Sequence, residues 1–306
     1  MLVSIVIPCY NSEHTLPKVV SLIREEFSKW DEYDYELVLV NDCSSDGTFD
    51  TIRALGSEDP KVHGISLMRN FGQHNALMCA MNYAEGDYVL GMDDDMQTHP
   101  SQIRVILDKM TEGYDLVYGV YRESTNGAFK NFTSWFNRVS SQVMLGRPKD
   151  IHSSNFWCIT AAVKNEVIRC GSFSPYVDGL FYRTTHKIGN VEIEHHKREY
   201  GSSGYSLKKI MKLWLAYFNY SVVPLRVASV IGLIAAAIGF MAGIGTIIYK
   251  LVDPTIPMGW TSTVCLMMFL AGLILFVLGI IGEYIGNAVL MLNGTPQFIV
   301  REKVNL

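Results

Sequence analysis

Tyr88-Val89-Leu90-Gly91-Met92-Asp93-Asp94-Asp95-Met96-Gln97-Thr98-His99-Pro100-Ser101 is the stretch on which the fold turns. Tyr88–Leu90 is an apolar run that reads as a buried strand. Thr98–Ser101 reads as the start of a helix. Between them stand three successive carboxylates, which repel one another unless something cationic sits among them. In extended chain Asp93 and Asp95 face one side, because side chains alternate along a strand. Two hard oxygen ligands there suit Mg²⁺ or Mn²⁺, ions held by a few carboxylates plus substrate phosphates. A solvated acidic loop with a helix cap is the plainer alternative.

Working outward, strand and helix alternate. Leu2–Pro8 is a β-branched strand stopped by proline, followed by the polar loop Cys9–Glu13 and a helix from Leu16 to Trp30. Tyr35–Val40 is a second strand, ending in the turn-rich Asn41-Asp42-Cys43-Ser44-Ser45-Asp46-Gly47-Thr48. A helix, a strand over Val62–Met68 and a helix over Gln73–Ala84 lead back to Tyr88. This order implies a mostly parallel sheet with helices on both faces. Ligands of such sheets bind beyond the carboxyl ends of the strands. Asn11–Glu13, Asp42–Thr48 and Asp93–Gln97 all fall there. Ordinary Asx-turn chemistry is the alternative for Asp42 and Asp46. No Gly-x-Gly-x-x-Gly and no phosphate-loop motif is present, so the pattern fits a nucleotide held from its sugar side.

Beyond the acidic stretch, Asp115–Gly119 is a fifth strand, ending near Arg122. Phe129–Arg138 mixes aromatic and basic residues and reads as a helix on an apolar surface, either at a membrane face or in the core. Residues 155–159 and 190–195 read as further, antiparallel strands, with a helix over Asp178–Lys187 between them. His195–Tyr205 is a basic, glycine-rich loop suited to phosphate or simply to solvent.

The apolar excess sits after residue 224, in a chain that is 49% hydrophobic overall. Val227–Tyr249 carries no charge, Thr263–Gly282 is a second such run, and each is long enough to span a bilayer, which takes about 20 residues. Ser206–Val223 reads as an interfacial helix, with Lys208, Lys209 and Lys212 beside Trp214, Tyr217, Phe218 and Tyr220. Basic residues flank the pair of spans, whereas their connecting loop balances Lys250 with Asp253. The catalytic domain and both termini are therefore expected in the cytoplasm, on a multi-pass protein of the cell (inner) membrane. A net charge of -4 gives no case for nucleic acid. The six cysteines have no paired spacing and read as reduced and mostly buried.

Several segments together resemble membrane-bound family-2 glycosyltransferases of GT-A fold that act on polyprenyl phosphates. Val6-Ile7-Pro8-Cys9-Tyr10-Asn11 and Asn41–Thr48 are similar to that family's nucleotide loops. Asp93–Gln97 is similar to its Asp-Ala-Asp-Leu-Gln, and Arg198-Glu199-Tyr200-Gly201 to Tyr205 to its Arg-x-x-Gly-x-Ser-Lys-Tyr. Gly282–Gly286 and Pro296–Val300 resemble its tail. Arg69–His74 and His195–Gly201 are similar to undecaprenyl-phosphate 4-deoxy-4-formamido-L-arabinose transferases, while bactoprenol glucosyltransferases and dolichyl-phosphate mannose synthases share the broader pattern. The chain departs from the family with Ser154-Asn155-Phe156 in place of Gly-Asp-Phe or Gly-Asp-Tyr, and with Lys130, Gly204 and Thr295.

The resemblance implies an α/β GT-A domain over residues 1–205, an interfacial helix over 206–224, a two-helix transmembrane hairpin over 225–285 and a tail over 286–306. It implies inverting transfer of a sugar from a nucleotide donor, UDP-linked, to a polyprenyl phosphate such as undecaprenyl phosphate. Asp95 and Asp93 are expected at a Mg²⁺ or Mn²⁺ ion and the diphosphate, with Gln97 supporting that loop. Pro8, Tyr10, Asn11, Glu13, Asp42, Asp46 and Asn70 are expected around the donor, and Arg198 and Ser203 over its diphosphate. Arg122, Lys130 and Ser134 match acceptor-phosphate positions. A homo-oligomer is expected, which would bury the tail after Gly286. A processive polysaccharide synthase would carry Gln-x-x-Arg-Trp and more spans, neither of which is found. A catalytically silent scaffold or lipid-sugar translocation partner is the remaining alternative.

Overall fold

The computed structural model describes residues 1–121, 139–194, 221–252 and 259–306. Its centre is an eight-stranded sheet. In chain order the strands are β1 (Leu2–Cys9), β2 (Asp34–Asn41), β3 (Val62–Leu67), β4 (Tyr88–Gly91), β5 (Leu116–Tyr121), β6 (Trp157–Thr160), β7 (Ile188–Ile193) and β8 (Val300–Val304). They lie side by side as β7-β5-β6-β4-β1-β2-β3-β8. The block β4-β1-β2-β3 is parallel throughout. The chain steps outward from β1 to β3 and then returns to the other side of β1 as β4. That reversal opens a crevice at the carboxyl ends of β1 and β4, where open α/β sheets hold ligands.

β6 runs antiparallel to both β4 and β5, as expected from the sequence. β7 corrects it: this strand pairs parallel with β5. The helix α6 (Val177–Thr184) precedes β7 and carries the chain over the sheet, so β7 enters in the direction of β5.

Two apolar layers follow from the alternation along the strands. Val6, Val38 and Val40 face one way, against α3 (Gln73–Tyr83), α5 (Ala161–Val167) and α6. Val3, Ile5, Ile7, Leu37 and Leu39 face the other, against α1 (Leu16–Phe27), α2 (Thr48–Glu58) and α4 (Ile103–Met110). In α1 the buried residues Leu16, Val19, Val20, Ile23 and Phe27 recur at helical spacing, and a proline in the first turn fixes the start.

The spans expected at 227–249 and 263–282 lie within longer helices, α7 (Val223–Val252) and α8 (Trp260–Leu292). Their most apolar windows are only 6% and 0% buried inside the protein. A core helix of a soluble domain would be covered, so this surface calls for lipid or a partner. The Tyr284 hydroxyl donates to the Ser221 carbonyl and ties α8 to the start of α7.

After α8 the chain comes back to the sheet. β8 pairs antiparallel with β3. Arg53 grips Glu302 through Nε and Nη2 at 3.1 and 2.8 Å, and Arg301 donates to the Met68 carbonyl at 2.8 Å. Asn305 caps the carbonyls of Gly56 and Val62 at 2.7 and 2.9 Å. These contacts fix the register of β8, whose central residues Arg301, Glu302 and Lys303 stay exposed at the sheet edge.

Candidate active site

The carboxyl ends of the four parallel strands open on one cavity of about 360 Å³. Pro8, Cys9 and Tyr10 reach it from β1, Asp42 from β2, and Asn70, Gly72 and Gln73 from the segment after β3. Asp93, Asp94 and Asp95 come from β4, and Asn155 from the approach to β6. Strand alternation predicts that Asp94 points away from its neighbours. The structure differs, because β4 ends at Gly91 and the chain then turns, with Met96 at φ 60°. All three carboxylates line the cavity.

The turn is held from below. An added Cβ on Gly91 would lie 2.3 Å from the Trp157 indole, so only glycine lets the aromatic ring support the start of the acidic loop. Ser12 donates its hydroxyl to Asp94, and the Gln97 backbone N–H donates to Asp95 Oδ1 at 3.0 Å. Gln97 thus shapes the loop through its backbone, as a closing turn around Asp95. Asp93 is held on both oxygens, by the Gln73 amide at 2.9 Å and the Asn155 amide at 2.7 Å. Gln73 and Asn155 stood outside the expected site set. The rule that ligands gather at strand ends could have found Gln73, since it follows β3. Asn155 was visible only as a departure from a motif.

The other acids do different work. Asp42 is 4% exposed, and its two oxygens accept the backbone N–H groups of Phe71 and Gly72 at 2.7 and 2.8 Å. Glu13 accepts from the Gly47 N–H at 3.0 Å, while its own N–H donates to Asp46 at 3.2 Å. Asp46 also accepts from the Thr48 hydroxyl and N–H. Burial alone would raise Asp46, but those hydrogen bonds outweigh it and hold the carboxyl below its ordinary value. Asn11, at φ 56°, accepts from the Ser45 N–H at 3.0 Å. Asn11, Glu13 and Asp46 therefore brace the β1 and β2 loops against each other and are not among the residues lining the cavity.

Among the described residues, four non-glycine positions have positive φ, and Asn11, Cys43 and Met96 each sit in a loop after β1, β2 or β4. Such strain, on the order of 1–3 kcal/mol per residue, is kept where a loop's shape matters. Nothing in the sequence marked Cys43 or Met96 for it.

No lysine or arginine lines this cavity among the described residues. Among the described residues no group of three or more His, Cys, Asp or Glu is arranged to hold a metal alone. The donor set is hard carboxylate oxygen, which fits a divalent cation that completes its shell with water and phosphate. The carboxylates also act on Tyr121 at the end of β5. Burial raises this phenol, Asp95 and Asp93 add to the rise, and a hydrogen bond with Thr98 opposes it.

Arg122, Lys130, Ser134, Arg198 and Ser203 lie outside the described residues, as do the interfacial helix through Tyr220 and the basic loop. Among the described residues five cysteines are free thiols, with Cys9, Cys79 and Cys158 buried, and burial pushes Cys79 up to about 12.

The chain matches the family "Glycosyl transferase family 2" over residues 4–172, more than half its length. It belongs to that family. Residues 223–288 of this family-2 glycosyltransferase also match "GtrB C-terminal hairpin", which covers α7 and most of α8. The chain is 32% identical to the undecaprenyl-phosphate 4-deoxy-4-formamido-L-arabinose transferase of Proteus mirabilis, over 99% of this chain and 94% of that one. It is 30% identical to the SfII prophage-derived bactoprenol glucosyl transferase of Shigella flexneri, over 99% and 98%. Among solved structures it resembles glucosyl-3-phosphoglycerate synthase of Mycobacterium tuberculosis in complex with Mn²⁺, UDP-glucose and phosphoglyceric acid. That likeness has a TM-score of 0.50 at 18% identity, covers 72% of this chain and 76% of the other, and speaks to fold alone. The GT-A fold with a two-helix C-terminal hairpin is thus the architecture of this enzyme.

Proposed function

We propose that this glycosyltransferase moves a sugar from a nucleoside diphosphate, UDP in particular, to a polyprenyl phosphate at the membrane surface, with inversion at the anomeric carbon. The observation that carries the reading is an acid-lined cavity at the strand ends of a sheet to which the chain returns, as β8, after an apolar helix pair. The names of the two relatives, which act on undecaprenyl phosphate and bactoprenol, support the acceptor class. The UDP-glucose and Mn²⁺ in the fold neighbour support the donor and a divalent ion, Mg²⁺ or Mn²⁺.

In this reading Asp95 and Asp93 hold the ion and orient the diphosphate, while Pro8, Tyr10, Asn70 and Asp42 shape the nucleoside end. When bound, the ion supplies Lewis-acid stabilisation of the departing diphosphate. Arg198 and Ser203 close over the donor. Arg122, Lys130 and Ser134 hold the acceptor phosphate, which is anionic at neutral pH and needs no strong general base. The protein's contribution is then positioning and charge stabilisation.

β8 lies in the sheet, so both flanks of the hairpin belong on one side of a bilayer that α7 and α8 cross. Arg226, Arg301 and Lys303 favour the cytoplasmic side of the cell (inner) membrane. The uncovered flanks of α7 and α8 also leave room for a homo-oligomer. The domain boundaries follow the sequence: 1–205, 206–224, 225–285 and 286–306.

The test is transfer by the full-length protein in detergent with Mg²⁺ or Mn²⁺, undecaprenyl phosphate and a panel of UDP- and GDP-sugars. Lipid-linked sugar from one donor, lost when the lipid phosphate is omitted, is the expected result. Turnover onto a soluble acceptor without lipid would overturn the acceptor assignment.

A further inference from the structure

The carboxyl end of β3 carries an exposed rim where the chain returning from α8 joins the sheet. The Met68 N–H donates to the Ile299 carbonyl at 2.9 Å, the last rung between the two segments. Both side chains are apolar and stand in the open, 48% and 41% exposed. Ser66 lies opposite Glu302 and Leu67 opposite Val300, so Arg301 is an extra residue, a bulge in β8. Bulges re-aim side chains. Arg301 turns back toward the rung and donates Nη2 to the Met68 carbonyl at 2.8 Å. Arg69, next to Met68, is exposed and sits over the Phe71 ring at 4.7 Å.

These two guanidinium groups differ from other arginines of the domain. Arg24, Arg53, Arg104 and Arg169 are each paired with a carboxylate. Among the described residues neither Arg69 nor Arg301 has a carboxylate partner. The far end of β8 has the opposite character. There Glu302 is neutralised by Arg53, and Asn305 is tied to the carbonyls of Gly56 and Val62.

We propose that the rim formed by Met68, Arg69, Ile299 and Arg301 docks on the anionic headgroups of the bilayer that holds α7 and α8. It rests on the reading of α7 and α8 as membrane spans and adds a contact of the catalytic domain itself. Reach supports it. Leu292 ends α8 and is 86% exposed. Ile299 follows seven residues later, at most about 25 Å away along an extended chain. The stretch between is bound to the domain, since the Gln297 amide donates to the Cys170 and Ser172 carbonyls at 3.2 and 2.8 Å and Phe298 packs against the core. Composition supports it as well. Aliphatic side chains beside arginines suit the boundary between acyl chains and headgroups. A guanidinium matches phosphate oxygens in bidentate fashion. The rim also adjoins the site, because Asn70, two residues beyond Met68, lines the cavity. Docking there sets the cavity beside the layer in which a lipid phosphate lies.

The experiment uses the full-length protein in vesicles of phosphatidylcholine brominated near the headgroup, with or without an equal part of phosphatidylglycerol. Bromine at that depth quenches indoles that reach it. Met68→Trp and Ile299→Trp each add an indole at the rim, and Leu306→Trp adds one at the far end of the strand. Relative to wild type, the rim indoles are expected to be quenched, more strongly with phosphatidylglycerol, and the Leu306→Trp indole is not. Adding Arg69→Gln or Arg301→Gln should shift the ratio of quenched to unquenched emission about fivefold for each charge removed. Salt at about 1 M, where the screening length falls to about 3 Å, should act in the same direction. Rim indoles left unquenched in vesicles that hold the protein would overturn the proposal, and so would quenching indifferent to phosphatidylglycerol. Rim indoles shielded from both bromine and aqueous iodide would assign the rim to a second copy and overturn it too. Two independent rim variants guard against misfolding of one, which its melting temperature would report. Failure of wild type to float with vesicles would overturn the membrane reading, and this proposal with it.

Discussion

Two sets of acids stand at the strand ends, and they behave differently. Glu13, Asp42 and Asp46, after β1 and β2, have oxygens taken up by backbone N–H groups of neighbouring loops. Asp93, Asp94 and Asp95, after β4, take their described partners from side chains or from their own turn, and all three face the cavity. A carboxylate that accepts backbone N–H groups of a neighbouring loop fixes how two loops pack. One held by side-chain amides, as Asp93 is, or by a single N–H of its own turn, as Asp95 is, can still turn an oxygen to a ligand. The same residue type thus serves as scaffold on one side of the crevice and as chemistry on the other.

The largest test of that contrast is Asp95→Asn. It should lower transfer by about 10²-fold or more, the scale of losing one preorganised electrostatic group, with the melting temperature unchanged. Full activity with metal present would break the contrast on the β4 side. Asp42→Ala should do the reverse first. It leaves the Phe71 and Gly72 N–H groups without acceptors, so unfolding in denaturant should show a loss of roughly 2–3 kcal/mol. If nucleotide affinity fell while stability held, Asp42 would belong with the β4 acids.

A pH titration sharpens the contrast further. The folded value of His74, about 4, lies below its unfolded value near 6.5. Above 6.5 the ring is neutral in both states. As pH falls from about 6.5 toward 4 the unfolded chain gains a proton that the folded one does not, so stability declines across that window. Melting temperatures of His74→Gln should decline less over the same range. The smallest effect belongs to the surface. Arg53→Ala removes the pair with Glu302, where both side chains are nearly half exposed. The shift in the midpoint of chemical unfolding should be the smallest of the set, because solvent screens an exposed pair.

The parallel block was legible in the sequence because buried strands there are apolar runs bounded by Pro8, Asn41 and Gly91. The helix pair was legible because long runs without charge have no other stable setting. β7 was misread because direction is set by the connection before a strand, not by the strand's own residues. β8 escaped notice because Val300–Val304 is an exposed edge strand with three consecutive charges and no alternation of apolar and polar residues, which hid it in a tail. In the site, Asp93 and Asp95 were legible as a motif, but the role of Asp94 was not, since alternation stops where β4 ends. Asp42 and Asp46 offered both turn and ligand chemistry from sequence, and only the positions of Phe71, Gly72 and Thr48 supply their partners.

The return of β8 has a mechanical consequence. Only seven residues separate the end of α8 from β8, so the leash between the anchor and the sheet is short on that side, and a lipid substrate must present its headgroup within its reach.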